Sequence, residues 1–414
     1  MERGRSDITR RGFLSGALAA LASAAALAGA PARLLAAAAP KSKTGAEEPK
    51  PAAGEVVRRT LGKTGIELPV VSMGVMNADM PGLVRAAYEL GVRHFDTAAN
   101  YQFGRNETMV GSVIRELGTR DTVTIATKGH TRQQRRGLSA ADSKKKLLAA
   151  FEGSLRRLAT DYVDILYIHD VSSADDMNEP GAREALEEFR RSGRARFVGV
   201  STHTNMADVL EEAARGGFYD VVLASYNFTM ADDAKLDAAL QNAAAKGVGV
   251  VGMKTLAGGD RWPNDDTRAG WSRETITKAC FKWALRDERV ATVIPGFTTR
   301  EQLELDFSVA RDLALTRDER RFLTDNKVKL GMGFCRQCGA CLASCPRGAD
   351  VPALVRTHMY AAQYGNLFAA RAALNAIEPG RGLEACRSCS ECEALCAHAV
   401  SVPRRIEELK IFSV

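Results

Sequence analysis

The stretches "VTIATK" (123–128) and "VDILYIH" (163–169) define the repeating unit of this chain. Each is a short apolar run rich in β-branched residues, and a helical segment separates them. That segment starts with the capping box "SAAD" at Ser139 and places Leu147 and Phe151 on one face. Near-continuous apolar strands that alternate with amphipathic helices are typical of a parallel sheet covered by helices. The unit therefore predicts an α/β fold.

The same unit recurs along the chain until eight strands are present. The other six strand candidates occupy residues 70–75, 94–98, 197–202, 221–227, 248–254 and 290–296. Eight such units within roughly 270 residues fit a (β/α)8 TIM barrel. A doubly wound open sheet is the alternative, but no G-x-G-x-x-G follows the first strand, which disfavours it. We predict a barrel over residues 56–330.

Four polar residues stand at or just after the ends of three consecutive predicted strands: Asp96, Tyr101, Lys128 and His169. In a barrel the carboxyl ends of the strands converge on one face, where active sites lie. Tyrosine has an ordinary pKa near ~10, and an adjacent lysine would lower it. A carboxylate can hold that lysine, and a histidine can donate a hydrogen bond to a carbonyl oxygen. Together they could relay a proton during carbonyl reduction. Taken singly, each residue also fits rim packing or a structural ion pair.

The order of these four residues resembles that of the aldo-keto reductase family, across roughly residues 57–325. The family's Asp–Tyr–Lys–His tetrad is catalytic, and its cofactor is NAD(P)(H), bound without a Rossmann fold. The resemblance implies that Tyr101 is the general acid/base and that Lys128 and Asp96 tune it. It also implies that His169 orients a small carbonyl or alcohol substrate.

The cofactor positions of the family are matched only in part. The resemblance implies that Ser201 binds the nicotinamide amide and that Lys254, in "GMKTLAGG", meets the pyrophosphate. It implies that the segment "IPGFTTREQLE" binds adenosine through Gln302, with Arg300 beside it. Ser225, Tyr226 and Asn227 are expected to line the barrel mouth.

Several family residues are replaced here. Thr202 stands where an Asn is usual, and Met253 where an aromatic ring commonly stacks on the nicotinamide. Gly296 and Gln302 stand where a Lys and an Arg grip the 2′-phosphate in members that prefer NADPH. The sequence therefore leaves the choice between NAD and NADP open.

Eight of the nine cysteines form two runs with C-x2-C-x2-C-x3-C spacing. The runs are an internal duplication. The eight are Cys335, Cys338, Cys341, Cys345, Cys386, Cys389, Cys392 and Cys396. This spacing is that of [4Fe–4S] ligation, and it predicts two clusters in a domain over residues 331–414. Zinc sites and disulfides are the alternatives, but zinc bound by C-x2-C pairs would leave the third and fourth cysteines of each run surplus.

In two-cluster ferredoxins the fourth cysteine of each run ligates the other cluster. We therefore expect the first three cysteines of the first run to share a cluster with Cys396, and those of the second run with Cys345. The intervening residues 353–377 are predicted to be helical, with a break near Gly365. The region resembles the α-helical ferredoxin domains of respiratory dehydrogenases.

The N-terminus has the architecture of a signal peptide. Arg10 and Arg11, in "TRRGFL", precede an Ala/Leu/Gly run over residues 13–30 and small-residue sites. The motif resembles the twin-arginine (Tat) export signal, which implies the Tat translocase as partner and a location in the periplasm or on the outer face of the cytoplasmic membrane. An ordinary cleaved signal and an uncleaved anchor are the alternatives. We assign the signal to residues 1–38 and a disordered linker to residues 39–55.

The distribution of charge along the chain limits the classes of partner that we expect. The formal net charge is +7, but basic residues alternate with acidic ones and form no basic stripe with interleaved aromatic residues, so a nucleic-acid partner is disfavoured.

The sequence predicts an exported oxidoreductase whose clusters serve a redox partner protein. Hydride carries two electrons, whereas each cluster takes one, and no flavin motif is present. The alternative is a catalytically dormant barrel that acts as an exported iron–sulfur electron-transfer or interaction subunit.

Overall fold

The structure, a computed structural model, describes residues 54–129, 132–257, 270–325, 334–387, 389 and 391–412. The predicted Tat signal (1–38) and nearly all of the predicted linker (39–55) lie outside these residues. Within the described ranges, no helix is both long enough and apolar enough to cross a membrane.

Eight parallel strands form the predicted barrel. Strands that are neighbours in the sheet follow one another in the chain, from β3 to β10. The sheet closes where Val71 pairs in parallel with Val293 and Ser72 N donates to the Val293 carbonyl at 2.8 Å. This order and this closure exclude a doubly wound open sheet. The strands are β1 Arg58–Thr60, β2 Glu67–Pro69, β3 Met73–Gly74, β4 His94–Asp96, β5 Thr124–Lys128, β6 Val163–Ile168, β7 Ala195–Thr202, β8 Val221–Ser225, β9 Gly249–Met253 and β10 Val290–Val293.

Helices follow the strands around the barrel. Within the described residues of this region they are α1 Pro81–Leu90, α2 Arg105–Leu117, α3 Arg132–Arg135, α4 Ala140–Leu158, α5 Ala174–Met177, α6 Pro180–Arg191, α7 Met206–Gly216, α8 Ala234–Ala245, α9 Arg273–Leu285, α10 Arg300–Ser308 and α11 Arg317–Thr324. Helix α4 starts as predicted, because the Ser139 hydroxyl accepts a hydrogen bond from Asp142 N at 3.1 Å. Its residues Leu147 and Phe151 are buried in the core.

A hairpin closes one end of the barrel. Strands β1 and β2 pair antiparallel, and Lys63 N, in the turn between them, donates to the Gly247 carbonyl just before β9. Leu61 and Leu68 of the hairpin pack with Tyr167 in the barrel interior. Tyr167 fits there because residue 199 is glycine: a Cβ at that position would lie 2.8 Å from the Tyr167 ring. The mouth, which is the end at the carboxyl termini of the strands, lies at the opposite end from this hairpin.

The C-terminal domain, residues 334–412, is helical, as predicted. Its helices are α12 Val351–His358, α13 Leu367–Asn375, α14 Leu383–Cys386 and α15 Val402–Ile411, and a π-helical turn, Met359–Gln363, follows α12. The predicted break is present, since Gly365 has φ of 58°. The domain packs on the barrel mouth, where Asn366 Nδ2 donates to Asn77 Oδ1 at 2.7 Å and Arg356 pairs with Asp170 at 3.3 Å.

Candidate active site

A buried ion pair lies at the base of the mouth. Asp96 ends β4 and Lys128 ends β5, and their side chains are about 98% buried. The Lys128 ammonium donates to Asp96 Oδ1 and to the Thr97 carbonyl, the latter at 2.7 Å. Asp96 Oδ2 is buried without a partner among the described residues. The strand ends thus deliver the predicted carboxylate–lysine pair to one point.

Tyr101 and His169 stand next to this pair. Tyr101 starts the 3-10 turn after β4, and His169 follows β6. Their ring centroids lie 6.0 Å apart with an edge-on angle of 78°. The Lys128 Nζ atom lies 5.1 Å from the Tyr101 ring centroid. The barrel therefore brings all four residues of the predicted tetrad together.

The protonation of Tyr101 differs from the prediction. Burial raises the pKa of Tyr101 well above its ordinary value, and the charges of Asp96 and Asp170 raise it further. The expected lowering of this pKa by Lys128 is not seen, since the net shift is upward; the Lys128 ammonium donates to Asp96 Oδ1 and lies 5.1 Å from the centre of the Tyr101 ring. Tyr101 is thus a neutral phenol at neutral pH, which is the form that donates a proton.

His169 is also neutral. Burial lowers its pKa well below the ordinary value, and the positive charges of Lys128 and Arg356 lower it further. Its Nδ1 atom is buried without a hydrogen-bond partner among the described residues. A neutral imidazole keeps one N–H, which can be donated to a carbonyl oxygen.

A cavity of about 210 Å³ opens above these residues, and both domains line it. Its barrel side includes Gly74, Met76, Asn77, Asp96, Asn100, Tyr101, His169, Met253, Lys254 and Pro295. Its other side is supplied by Arg356, Tyr360, Tyr364, Asn366, Phe368, Ala369, Ala372, Ala373 and Ala376. The C-terminal domain is therefore a wall of the candidate active site.

The predicted nucleotide residues are distributed unevenly around this cavity. Lys254 faces it, with its backbone at φ of 58°. Ser201 is buried, and its hydroxyl accepts a hydrogen bond from Asp170 N at 3.0 Å. Gln302 Oε1 accepts from Thr298 N at 2.7 Å, and Arg300 is exposed and pairs with Glu304. Neither Arg300 nor Gln302 lines the cavity, so their nucleotide contacts stay predictions.

Only some of the residues that replace the usual family residues, and only some of those expected at the mouth, lie at the cavity. Met253 and Gly296 line the cavity, while Thr202 Oγ1 donates to the Thr204 carbonyl at 2.6 Å. Ser225 reaches the mouth region, where it lies 3.3 Å from His203 Nδ1.

Two of the expected mouth residues lie elsewhere. The Tyr226 hydroxyl donates to Asp287 at 2.9 Å and its ring packs on Trp283. The Asn227 side chain caps a 3-10 turn by accepting from Thr229 N. Their placement at the mouth is wrong, since local packing against α9 and turn capping engage them instead.

Sequence reasoning missed the residues that the C-terminal domain adds. Arg356 on α12 holds Asp170 with two contacts of 3.3 Å. Tyr360, in the turn after α12, accepts a hydrogen bond from Lys254 Nζ at 3.3 Å. Helical spacing places Arg356 and Tyr360 on one face, since they are four residues apart. No pattern in the sequence predicts that this face contacts the barrel.

Six of the eight cysteines belong to or pack against one small apolar core of the C-terminal domain. Cys341 belongs to this core, five others pack against it, Cys389 is half-buried and Cys338 is exposed. No group of three or more Cys, His, Asp or Glu within the described part of the chain is spaced to hold a single metal ion. Gln337 Nε2 donates to Cys335 Sγ at 3.1 Å.

The cysteine thiols affect one another's pKa, and they do so in two sets. Burial raises the pKa of Cys335 to about 12, and negative charge on Cys341 and Cys396 would raise it further. Burial likewise raises the pKa of Cys386 to about 11, with Cys345 as the foremost neighbouring thiol. The fourth cysteine of each run thus influences a thiol of the other run, and the crossed ligation stays a prediction.

Comparison with known proteins finds family matches in both the barrel and the C-terminal domain. A model of the Aldo/keto reductase family matches residues 75–269, and a model of the 4Fe-4S dicluster domain matches residues 334–400. An L-glyceraldehyde 3-phosphate reductase of Escherichia coli (strain K12) is 29% identical over 325 residues, which cover 64% of this chain and 91% of the relative. An L-galactose dehydrogenase of Arabidopsis thaliana is 27% identical over 286 residues, 62% of this chain and 88% of the relative.

A solved structure agrees with the fold. The holo form of an aldo-keto reductase from Bacillus halodurans superposes with a TM-score of 0.53 at 23% identity, covering 65% of this chain and 95% of the other. The part of this chain that follows the barrel contains the match to the dicluster model. Residues 75–269 are therefore similar to the Aldo/keto reductase family, which supports an NAD(P)-dependent oxidoreductase, and residues 334–400 are similar to a 4Fe–4S dicluster domain.

Proposed function

We propose that the chain interconverts a carbonyl and an alcohol at Tyr101 and His169, with NAD(P)(H) as the hydride carrier. One observation carries the proposal: Tyr101 and His169 face the same cavity directly beside the buried Asp96–Lys128 pair. A nicotinamide nucleotide supplies or accepts the hydride when it is bound, and the residues of this chain manage the proton.

For the reaction in the direction of reduction, the protonation states of the site fit the donation of a proton to the substrate. The neutral His169 ring donates its N–H to the substrate carbonyl and orients it. The neutral Tyr101 phenol gives its proton to the oxygen as negative charge develops there. Lys128, held by Asp96, stabilises the resulting phenolate by its positive charge. Placing these groups in a cavity that both domains line reduces their contact with water and strengthens each of these interactions.

The cavity fits the nicotinamide end of such a cofactor. His169 Nδ1 and Asp96 Oδ2 are buried polar atoms that have no hydrogen-bond partner in the described part of the chain, so a polar ring can bind beside them. Met253 and Gly296 line the same cavity and leave room for a flat group. Ser201, Arg300 and Gln302 are the residues of this chain that would hold the rest of the nucleotide; for Lys254, the pyrophosphate is one of two possible anionic ligands.

The proposal is tested by turnover. Purified protein is mixed with NADH or NADPH and a panel of aldehydes and ketones, and the loss of absorbance of the reduced nicotinamide is followed. We expect carbonyl-dependent oxidation with at least one of the two nucleotides. Binding of nucleotide without turnover of any carbonyl or alcohol, in protein with full iron content, would favour a dormant barrel.

We also propose that the eight cysteines hold two [4Fe–4S] clusters. The two runs of four cysteines, each with the spacing of [4Fe–4S] ligation, support this number. The clusters would exchange single electrons with a redox partner protein. The test is the iron content of anaerobically purified protein together with the paramagnetic resonance of the reduced state. We expect about eight iron atoms per chain, and four would leave room for one cluster only.

Export by the Tat pathway is a third proposal, supported by "TRRGFL" in front of a weakly apolar run. The double variant Arg10→Lys/Arg11→Lys keeps the charge but removes the arginine pair. We expect it to stay in the cytoplasm as a folded, cluster-loaded protein, as judged by cell fractionation. Export equal to that of the parent would contradict the Tat assignment.

A further inference from the structure

The roof of the cavity is formed by Asp170 and Lys254 of the barrel and by Arg356 and Tyr360 of the C-terminal domain, and among the described residues Lys254 has no carboxylate within ion-pair distance. Asp96 is paired with Lys128, and Asp170 is paired with Arg356. Lys254 faces the same cavity, and within the described ranges no carboxylate lies within ion-pair distance of it. A desolvated ammonium without a counter-ion is unfavourable, so this site favours an anionic ligand.

The C-terminal domain fixes this ammonium in place. Lys254 Nζ donates to the Tyr360 hydroxyl at 3.3 Å and lies 4.5 Å from the centroid of the same ring. The Tyr364 ring lies 5.0 Å away. Cation–π contacts and one hydrogen bond stabilise the cation but supply no negative charge. The remaining N–H groups of the ammonium are available to a ligand in the cavity.

We propose that Lys254 and Tyr360 bind the carboxylate of the substrate, so that the substrates are oxo acids. This inference rests on the proposed function, and it goes further by naming the substrate class. The reacting carbonyl lies at Tyr101 and His169, and the carboxylate lies at the roof formed by the two domains. A single uncompensated positive charge matches a single carboxylate.

The surroundings of Lys254 agree with an anion site. Burial lowers its pKa to about 7, and the positive charge of Arg356 lowers it further, while Asp170 opposes both. Burial also lowers the pKa of the neighbouring His203, so His203 is neutral and does not compete for the anion. A bound carboxylate would supply the charge that Lys254 lacks.

The pyrophosphate of the nucleotide is the other source of negative charge, and the test separates the two. Full-length protein is assayed with 4-oxobutanoate and 4-formylbenzoate and with the methyl ester of each. We expect Lys254→Met to lower kcat/KM for the acids roughly 10- to 100-fold and to change kcat/KM for the esters less than about threefold. Tyr360→Phe should lower the preference for acids by a smaller factor.

The control is Lys246→Met, which makes the same charge change at an exposed residue before the other end of β9. It should leave the acid-to-ester ratio unchanged. Equal losses for acids and esters, together with weaker nucleotide binding in Lys254→Met, would assign Lys254 to the pyrophosphate and overturn the proposal.

A second measurement applies if no carbonyl is turned over, which is the failure of the proposed function. Calorimetry then follows the binding of succinate to the nucleotide-loaded protein. Binding to the parent that is lost in Lys254→Met would support the carboxylate site independently of catalysis. Equal binding, or no binding to either protein, would overturn it.

Discussion

The two sides of the cavity are built in different ways. On the barrel side, Asp96 and Lys128 neutralise each other within one domain and are nearly inaccessible. On the roof, Asp170 and Lys254 of the barrel meet Arg356 and Tyr360 of the C-terminal domain. The first side is electrically balanced and suits proton transfer. The second leaves a charge and suits recognition of a ligand, so we assign chemistry to the barrel side and selectivity to the roof, where the two domains meet.

The largest expected effect is on the barrel side. Tyr101→Phe removes the only proposed proton donor, and general acid catalysis contributes typically ~10²–10⁴-fold. We expect kcat to fall by this range while the nucleotide dissociation constant stays nearly unchanged. Tyr167→Phe is the matched control, because its hydroxyl is buried in the barrel interior without a partner among the described residues. A Tyr101→Phe enzyme with near-parental kcat would remove Tyr101 from its role.

The balanced pair should also be structural. Lys128→Met leaves Asp96 as an uncompensated buried charge, and breaking such a pair costs about 3–5 kcal/mol of unfolding free energy. We expect this loss in denaturant unfolding together with a loss of activity. Lys282→Met is the control, because Lys282 is equally buried and pairs with Glu319 at 3.2 Å, away from the cavity. It should lose similar stability while the folded enzyme keeps its kcat. Equal activity in both variants would contradict the proposed role of Lys128.

The crossed ligation gives a comparison inside the C-terminal domain. Cys345→Ala should remove a ligand from the cluster built on the second run, although Cys345 follows the first run in sequence. We expect iron content to fall by about half and the cluster of Cys386, Cys389 and Cys392 to change its paramagnetic resonance. Cys280→Ala, in the buried core of the barrel, should leave both signals intact. Loss of the first-run cluster instead would mean that each run holds its own cluster.

The barrel side could be predicted from the sequence because strand order fixes it. A polar residue at the end of each parallel strand must reach the same mouth, so Asp96, Lys128 and His169 were placed from their spacing alone. The roof could not be predicted this way. Asp170, Lys254 and Arg356 lie more than 80 positions apart from one another in the chain, and the docking of α12 on the barrel leaves no periodic signal in the sequence. The protonation of Tyr101 also depended on burial, which spacing does not give.

The unbalanced roof predicts a pH dependence. Lys254 has a pKa lowered to about 7, mainly by burial, so it is charged below pH 7 and loses its charge above it. The groups facing it are Arg356, Asp170, His203 and Tyr360. We expect kcat/KM for an oxo acid to be level below pH 7 and to fall up to about tenfold per pH unit above it. For the methyl ester, kcat/KM should not fall above pH 7 in this way. If it does, the titrating group is not Lys254.

The central claim is that the C-terminal domain completes the active site, and a double-mutant cycle on Asp170 and Arg356 tests it most directly. The cycle compares the parent with Asp170→Asn, Arg356→Met and the double variant by kcat/KM for a carbonyl substrate that the parent reduces. The iron content is confirmed in each variant. Because the two side chains contact each other across the domains, we predict a coupling energy on the order of 1 kcal/mol, with the double variant less impaired than the sum of the singles. Strictly additive effects, or parental kcat/KM in all three variants, would contradict the claim.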